Sequence, residues 1–246
     1  KHLALTPHPK VLGDKEKSEY ITTDFSESQV EFVSSVFNSV DKALGFIKKL
    51  HNQTNKALKP LGEMLYNNSM PPILPKNLKQ ISTASFKTNK SADSYRKYLL
   101  KKYGVKNQLV CGIHYNFSFD DKLLKALFKG QKKDTKKQNY ESFKKELYLQ
   151  VTKIISYERW LLVYLNGCGY KLDKSFYCDD YNKIDKKIQP NKLEISLDDK
   201  NTYELKNGLS FRNGLFGYQN QPYLYANFQS FSKYVKSIKK LIKQIK

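Results

Sequence analysis

Ten residues, Val110-Cys111-Gly112-Ile113-His114-Tyr115-Asn116-Phe117-Ser118-Phe119, constrain the fold more than any other stretch of the chain. Side chains alternate across an extended backbone, so a period of two splits the stretch into two faces. Cys111, Ile113, Tyr115, Phe117 and Phe119 form an apolar side suited to packing on a core. Gly112, His114, Asn116 and Ser118 form the other side, with the glycine where a ligand or a neighbouring backbone can approach closely. The expected structure is a strand whose polar face carries an imidazole and an amide two residues apart, as the floor of a site. Alternation reports burial rather than chemistry, so the same pattern also describes solvated polar residues on an open sheet face.

Two further extended segments lie upstream. Residues 1–19 read as a loop punctuated by Pro7, Pro9 and Gly13. Tyr20 to Phe25 is strand-like in its β-branched and aromatic content. After the polar turn Ser26-Glu27-Ser28, Gln29 to Val33 alternates again, with Val30 and Phe32 on one side and Glu31 on the other. Asp24 and Glu31 can therefore flank one site across the turn, although two carboxylates seven residues apart are by themselves a weak signal.

The helical segments follow from period and caps. Asn38-Ser39 can cap a helix with Asp41 in its first turn, and Val40, Ala43, Leu44, Ile47, Leu50, Thr54, Ala57 and Leu58 fall on one face. His51 is expected near the edge of that face. Ser69 to Pro75 is a rigid proline-fixed loop, and 76–90 reads as irregular. A short helix is expected over Ala92–Tyr103, stopped by Gly104, and a brief one over Leu123–Phe128. The basic tract 131–137 reads as an exposed loop. A long amphipathic helix is expected from Tyr140 to Leu165, burying Phe143, Leu147, Val151, Ile154, Ile155, Leu161 and Leu162. Residues 171–200 read as irregular, Gly208 to Asn220 is glycine-rich with a single arginine, and Phe231–Ile245 is a lysine-rich amphipathic helix. There are no internal repeats.

Composition narrows the class. With 246 residues, 39% of them hydrophobic, and 18 Tyr and 14 Phe, the chain can bury a core as one large domain or two small ones. The longest apolar run, Trp160 to Leu165, is far short of the ~20 residues of a membrane span. The first residues lack both an apolar signal segment and an initiator Met, so the sequence is expected to begin inside a longer protein. Cys111, Cys168 and Cys178 lack a C-x-x-C spacing, which fits a reducing cytoplasm and gives no disulfide framework or zinc knuckle. The net charge of +21 suggests a polyanionic partner such as nucleic acid. Lysine greatly outnumbers arginine, however, and no helix-turn-helix, zinc finger or RNP signature is present. Solvated lysine-rich helix faces account for the charge as well.

Several blocks, taken together and in order, resemble the bacterial glutamate–cysteine ligase (γ-glutamylcysteine synthetase) family, which also occurs as the ligase domain of bifunctional glutathione biosynthesis proteins. They are Leu3-Ala4-Leu5-Thr6-Pro7-His8-Pro9 with Leu12-Gly13, and Ile21-Thr22-Thr23-Asp24-Phe25-Ser26-Glu27 running to Glu31-Phe32. Then come Ser69-Met70-Pro71-Pro72, Gly112 to Ser118, Arg159-Trp160-Leu161 to Leu165, and Arg212 with Gly217-Tyr218-Gln219-Asn220. The resemblance implies an α+β fold, a curved, mainly antiparallel sheet with helices packed outside. It also implies ligation of the glutamate γ-carboxylate to the cysteine amine through a γ-glutamyl phosphate, with ATP and magnesium, or manganese in its place. Matched residue by residue, Asp24, Glu31 and His114 fall on metal positions, and Asn116 and Tyr218 on substrate-binding positions. Arg212 falls on the arginine at the reacting phosphoryl or carboxylate group. Glutamate, cysteine and ATP would be the small-molecule partners, with neither membrane nor nucleic acid, and a glutathione synthetase domain could follow in the full-length protein.

Against the family pattern, residues 1–246 are expected to be one incomplete ligase domain. The Gly-x-Glu-x-Glu segment should precede Lys1, and the C-terminal half should follow Lys246. Inside the chain, Ser34-Ser35 stand for Thr-Pro, Tyr66-Asn67 for Trp-Pro, Asn166 to Tyr170 for Phe-Gly-Ala-Ser-Pro, and Gly214 to Tyr218 for Ser-Asp-Leu-Gly-Tyr. These departures leave open an inactive, truncated paralogue that binds a nucleotide or partner subunit. The charge leaves open a basic nucleic-acid-binding protein.

Overall fold

The computed structural model describes residues 1–131, 139–166, 171–176, 195–197, 202–205 and 226–245. Their contacts divide the chain into two units, Lys1–Gly112 with Cys168–Gly217, and Ile113–Gly167 with Tyr218–Lys246.

In the first unit the alternating segments pair as expected. Strand β1 (Ile21–Thr23) runs antiparallel to β2 (Val30–Phe32), with Ile21 opposite Phe32, Thr22 opposite Glu31 and Thr23 opposite Val30. The turn between them closes when Gln29 N–H donates to the Ser26 carbonyl (2.9 Å), while the Gln29 side-chain oxygen accepts from Ser26 N–H (3.0 Å). Helix α1 (Val40–Leu58) starts at Ser39, whose hydroxyl accepts from Lys42 N–H at 3.3 Å. Leu50, Thr54 and Leu58 are buried, whereas Val40 and Leu44 are exposed. His51 is half-buried with its ring 4.7 Å from that of Phe32, and burial lowers its pKa.

Helix α2 (Lys90–Gln108) is capped by Asn89, which accepts from Ala92 N–H at 3.0 Å. Gly104 interrupts it at φ 74°, ψ 169°, a conformation that glycine alone adopts readily, and the helix resumes to Gln108. The expected stop at Gly104 is thus a break followed by one more turn. Leu74, Ile81 and Leu109 form a buried cluster packed by Leu3, Leu78, Val105 and Phe176. Strands β3 (Lys171–Asp173), β4 (Ile195–Leu197) and β5 (Thr202–Leu205) form a second antiparallel sheet in the order β3-β5-β4. This corrects the irregular reading of 171–200, because three-residue strands are too short to show a period.

In the second unit, α3 (Asp121–Lys129) is capped by Asp120, whose carboxylate accepts from Lys122 and Leu123 N–H. It packs on α4 (Tyr140–Asn166) through Phe128, whose ring lies 5.4 Å from Phe143 and 5.5 Å from Tyr140. Helix α5 (Phe231–Ile245) joins α4 where Phe231 N–H donates to Glu146 (3.3 Å). Phe143 and Leu149 of α4 are buried, but Ile154, Ile155, Leu161 and Leu162 are exposed, contrary to expectation. Helical spacing says which residues share a face, and burial further requires an element opposite that face.

The described residues therefore have an α+β fold in which the strands β1 to β5 all pair antiparallel. No helix among them is long and apolar enough to cross a membrane.

Candidate active site

Strand alternation decides which face of the β1–β2 hairpin is chemically available. Thr23 and Phe25 point to one side and are buried. Thr22 and its partner Glu31 point to the other. Asp24 continues the pairing by one residue, its N–H donating to the Gln29 carbonyl at 3.0 Å. Asp24 therefore falls on the same face as Glu31, as a diagonal cross-strand neighbour. Both residues are exposed. The register thus sets Asp24 and Glu31 on the same side of the hairpin.

The buried side of the hairpin is held by a network that strand periodicity does not reveal. Glu27 is only 8% exposed. One of its carboxylate oxygens accepts from Lys15 Nζ (2.5 Å) and from Ser85 N–H (3.1 Å), and the other from His8 N–H (3.1 Å). Burial alone would push this carboxyl up, but the Lys15 ammonium and the two backbone donors outweigh it and hold it below its ordinary value. His8 Nδ1 lies 2.8 Å from the Thr23 hydroxyl, while His8 Nε2 is buried with no hydrogen-bond partner among the described residues. Burial and the nearby Lys15 charge lower the His8 pKa. Glu16 ties the lead-in to α2, accepting from Lys87 N–H (2.6 Å), Thr88 N–H (2.8 Å) and the Thr88 hydroxyl. These bonds hold its carboxyl at about 2.

The Ser69 block meets Cys111 beside the turn. Ser69 and Cys111 exchange bonds, Cys111 N–H donating to the Ser69 carbonyl and the Ser69 hydroxyl to the Cys111 carbonyl, both at 2.9 Å. The Gln29 amide donates to the Gln108 carbonyl (3.0 Å) and approaches Cys111 Sγ (3.5 Å). Met70 and Pro71 beside Ser69 are buried.

His114 and Asn116 belong to the second unit and are exposed. Here the strand expectation is corrected, because Val110–Phe119 forms no strand. Its supposed core face is open, with Ile113 85% and Tyr115 75% exposed. Phe119 is held on α4, its N–H donating to the Tyr148 hydroxyl at 3.0 Å with the rings 5.6 Å apart. A polar-apolar alternation fits any extended backbone, and a ladder needs a partner strand as well. Arg212 and Tyr218 lie outside the described residues. Among the described residues no three His, Cys, Asp or Glu side chains gather into a cluster that could hold a metal ion. On the register, Asp24 and Glu31 share one side of the hairpin.

The comparisons agree with the motif blocks. A family model described as glutamate-cysteine ligase matches residues 1–246. The glutathione biosynthesis bifunctional protein of Listeria monocytogenes is 41% identical over 241 residues, which make up 98% of this chain and 29% of that protein. The glutamate–cysteine ligase of Clostridium acetobutylicum is 37% identical over 188 residues, 75% of this chain and 38% of that one. A solved structure of glutamate–cysteine ligase from Francisella tularensis in complex with AMP matches with a TM-score of 0.74 and 27% identity, over 97% of this chain and 44% of that chain. The chain thus spans less than half the length of each of these relatives, and it belongs to the glutamate–cysteine ligase family.

Proposed function

We propose that the protein carrying this chain joins the γ-carboxylate of glutamate to the amine of cysteine at the expense of ATP, the first step of glutathione biosynthesis, in the cytoplasm. Residues 1–246 are then part of one ligase domain, which a glutathione synthetase domain can follow. The observation that carries this reading is that the hairpin of a ligase-family chain holds Asp24 and Glu31, both exposed, on one side. In the reaction, a glutamate γ-carboxylate oxygen attacks the terminal phosphorus of ATP and ADP leaves. The cysteine amine then attacks the acyl carbon, phosphate leaves, and the amine gives up its proton.

Phosphoryl transfer rests on positioning and charge stabilisation, and the residue types suit that work. Asp24 and Glu31 offer hard oxygen donors, which fit magnesium or manganese. A divalent ion bound there supplies neutralisation of the charge on the ATP phosphates and the carboxylate. On the resemblance, His114 is assigned to a metal position and Asn116 to a hydrogen-bonding position for substrate or phosphate. Arg212 is assigned to the reacting phosphoryl or carboxylate group and Tyr218 to the cysteine pocket.

The test is glutamate- and cysteine-dependent ADP release by the full-length protein. Asp24→Asn and Glu31→Gln should each lower it by at least about 100-fold, since losing a metal ligand costs more than losing its supporting shell. Turnover close to the wild type in both variants would overturn the metal assignment. A folded full-length protein that releases no ADP with both amino acids present would instead be a non-catalytic member of the family.

A further inference from the structure

The Thr-Thr-Asp segment ends in a backbone problem that a side chain from another element solves. In an antiparallel hydrogen-bonded pair, the two residues exchange both N–H···O bonds. Asp24 gives its N–H to the Gln29 carbonyl, but Gln29 gives its own N–H to Ser26 to close the turn. The Asp24 carbonyl is therefore left over from the ladder. The Thr23 carbonyl is left over too, because Thr23 faces Val30 in the alternate kind of pair, whose carbonyls point away from the partner strand. Unpaired carbonyls at a strand edge invite a donor.

Arg96 of α2 supplies it. Its Nε–H donates to the Asp24 carbonyl at 2.5 Å, and Nη2 donates to the Thr23 carbonyl at 3.1 Å. The remaining edge of the guanidinium is fixed on its own helix, Nη1 donating to the Ala92 carbonyl at 3.2 Å. The flat face rests on the Phe86 ring, 4.3 Å from its centroid. The rigid, planar fork of arginine thus spans two consecutive carbonyls while held on three sides. The point-like ammonium of lysine cannot reproduce that arrangement.

We propose that Arg96 is a positioning residue: by clamping the Thr23 and Asp24 carbonyls it fixes the backbone that aims the Asp24 carboxylate at the divalent cation. This rests on the reading of Asp24 as a metal ligand. The hydrogen bonds of Arg96 go to the backbone carbonyls of Asp24, Thr23 and Ala92, so it acts through Asp24.

The test uses the full-length protein with manganese as the probe, its binding followed by electron paramagnetic resonance without turnover. A thermal melt of each variant serves as the folding control. Arg96→Ala should weaken manganese binding by about 10- to 100-fold, the cost typical of removing a group that orients a ligand. Arg96→Lys keeps the charge but loses the fork, and should show a loss in the same direction with an unchanged melt. Arg96→Ala combined with Asp24→Asn should bind no worse than Asp24→Asn alone. If Asp24→Asn loses manganese while a folded Arg96→Ala binds as the wild type does, the positioning role is overturned and the metal reading stands. If Arg96→Ala does not fold, wild-type affinity in Arg96→Lys overturns the positioning role in its place. If Asp24→Asn itself binds manganese normally, the metal reading fails and the proposal falls with it.

Discussion

Replacing Glu27 with glutamine keeps the shape of the side chain and removes its charge. The carboxylate and its Lys15 partner are 10% and 15% exposed, so water cannot take over the interaction. Breaking a buried ion pair from one side costs about 3–5 kcal/mol. A hydrogen bond to a charged group adds roughly 1.5–3 kcal/mol where it is not replaced. Two offsets apply. The glutamine oxygen can still accept from one of the three donors, and the long Lys15 stem can carry its ammonium outward to water. A net loss of about 3 kcal/mol is the working value, roughly a 150-fold change in an opening equilibrium.

Hydrogen exchange of the His8 and Ser85 amides measures this directly, because both donate to Glu27. In Glu27→Gln their exchange should accelerate by roughly 100-fold, with smaller changes at the far end of α1. The pH dependence gives an independent sign. The folded carboxyl is held below its ordinary 4.5, so its stabilisation is fully present above that pH and is lost as pH falls through the folded value. Local opening should therefore show an acid limb below about pH 4.5 in the wild type and none from this group in Glu27→Gln. Lys15→Met with Glu27→Gln should lose less than the sum of the two single changes, since no charge is then left buried. Unchanged exchange at His8 and Ser85 would refute the hub role outright.

Two further outcomes test the same unit. His8 has a folded pKa below 6.5, so its contribution is present above pH 6.5 and fades as pH drops through the lowered value; exchange of the neighbouring amides should rise over that window in the wild type and stay flat in His8→Gln. Gly104→Ala adds a methyl group that meets nothing within 4 Å, so its cost is backbone strain alone, about 1–3 kcal/mol, read as a lower melting temperature. An unshifted melt would show that the interruption of α2 relaxes freely.

Legibility followed the range of the interactions. The β1–β2 pairing, the Ser39 cap and the span of α4 rest on neighbours within a few residues, and the chain spells them out locally. The face shared by Asp24 and Glu31 followed from alternation once the register was known. What stayed hidden depends on partners distant in sequence. Arg96 lies 72 residues from Asp24, and Ser85 lies 58 from Glu27. No period or spacing reports such contacts. The alternating stretch at 110–119 misled for a related reason, since its pattern was real but no ladder formed.

The same contacts bear on whether the hairpin is a relic. Every residue from Thr22 to Glu27 has a separate physical task. The Thr22 hydroxyl donates to the Lys15 carbonyl at 2.9 Å, Thr23 meets His8, and Asp24 stands on the open face. Phe25 is buried and accepts from Ala84 N–H at 2.8 Å, Ser26 closes the turn, and Glu27 collects three donors. The departures from the family pattern that fall on described residues, Ser34, Ser35, Tyr66, Asn67 and Asn166, are all exposed. Substitutions at exposed positions of this kind usually change stability by less than about 0.5 kcal/mol, whereas any change in the buried network costs several times that. Asp24 and Glu31 stand exposed on this hairpin, and Arg96 clamps the backbone at Thr23 and Asp24, an arrangement that suits the ligand-bearing role proposed for it.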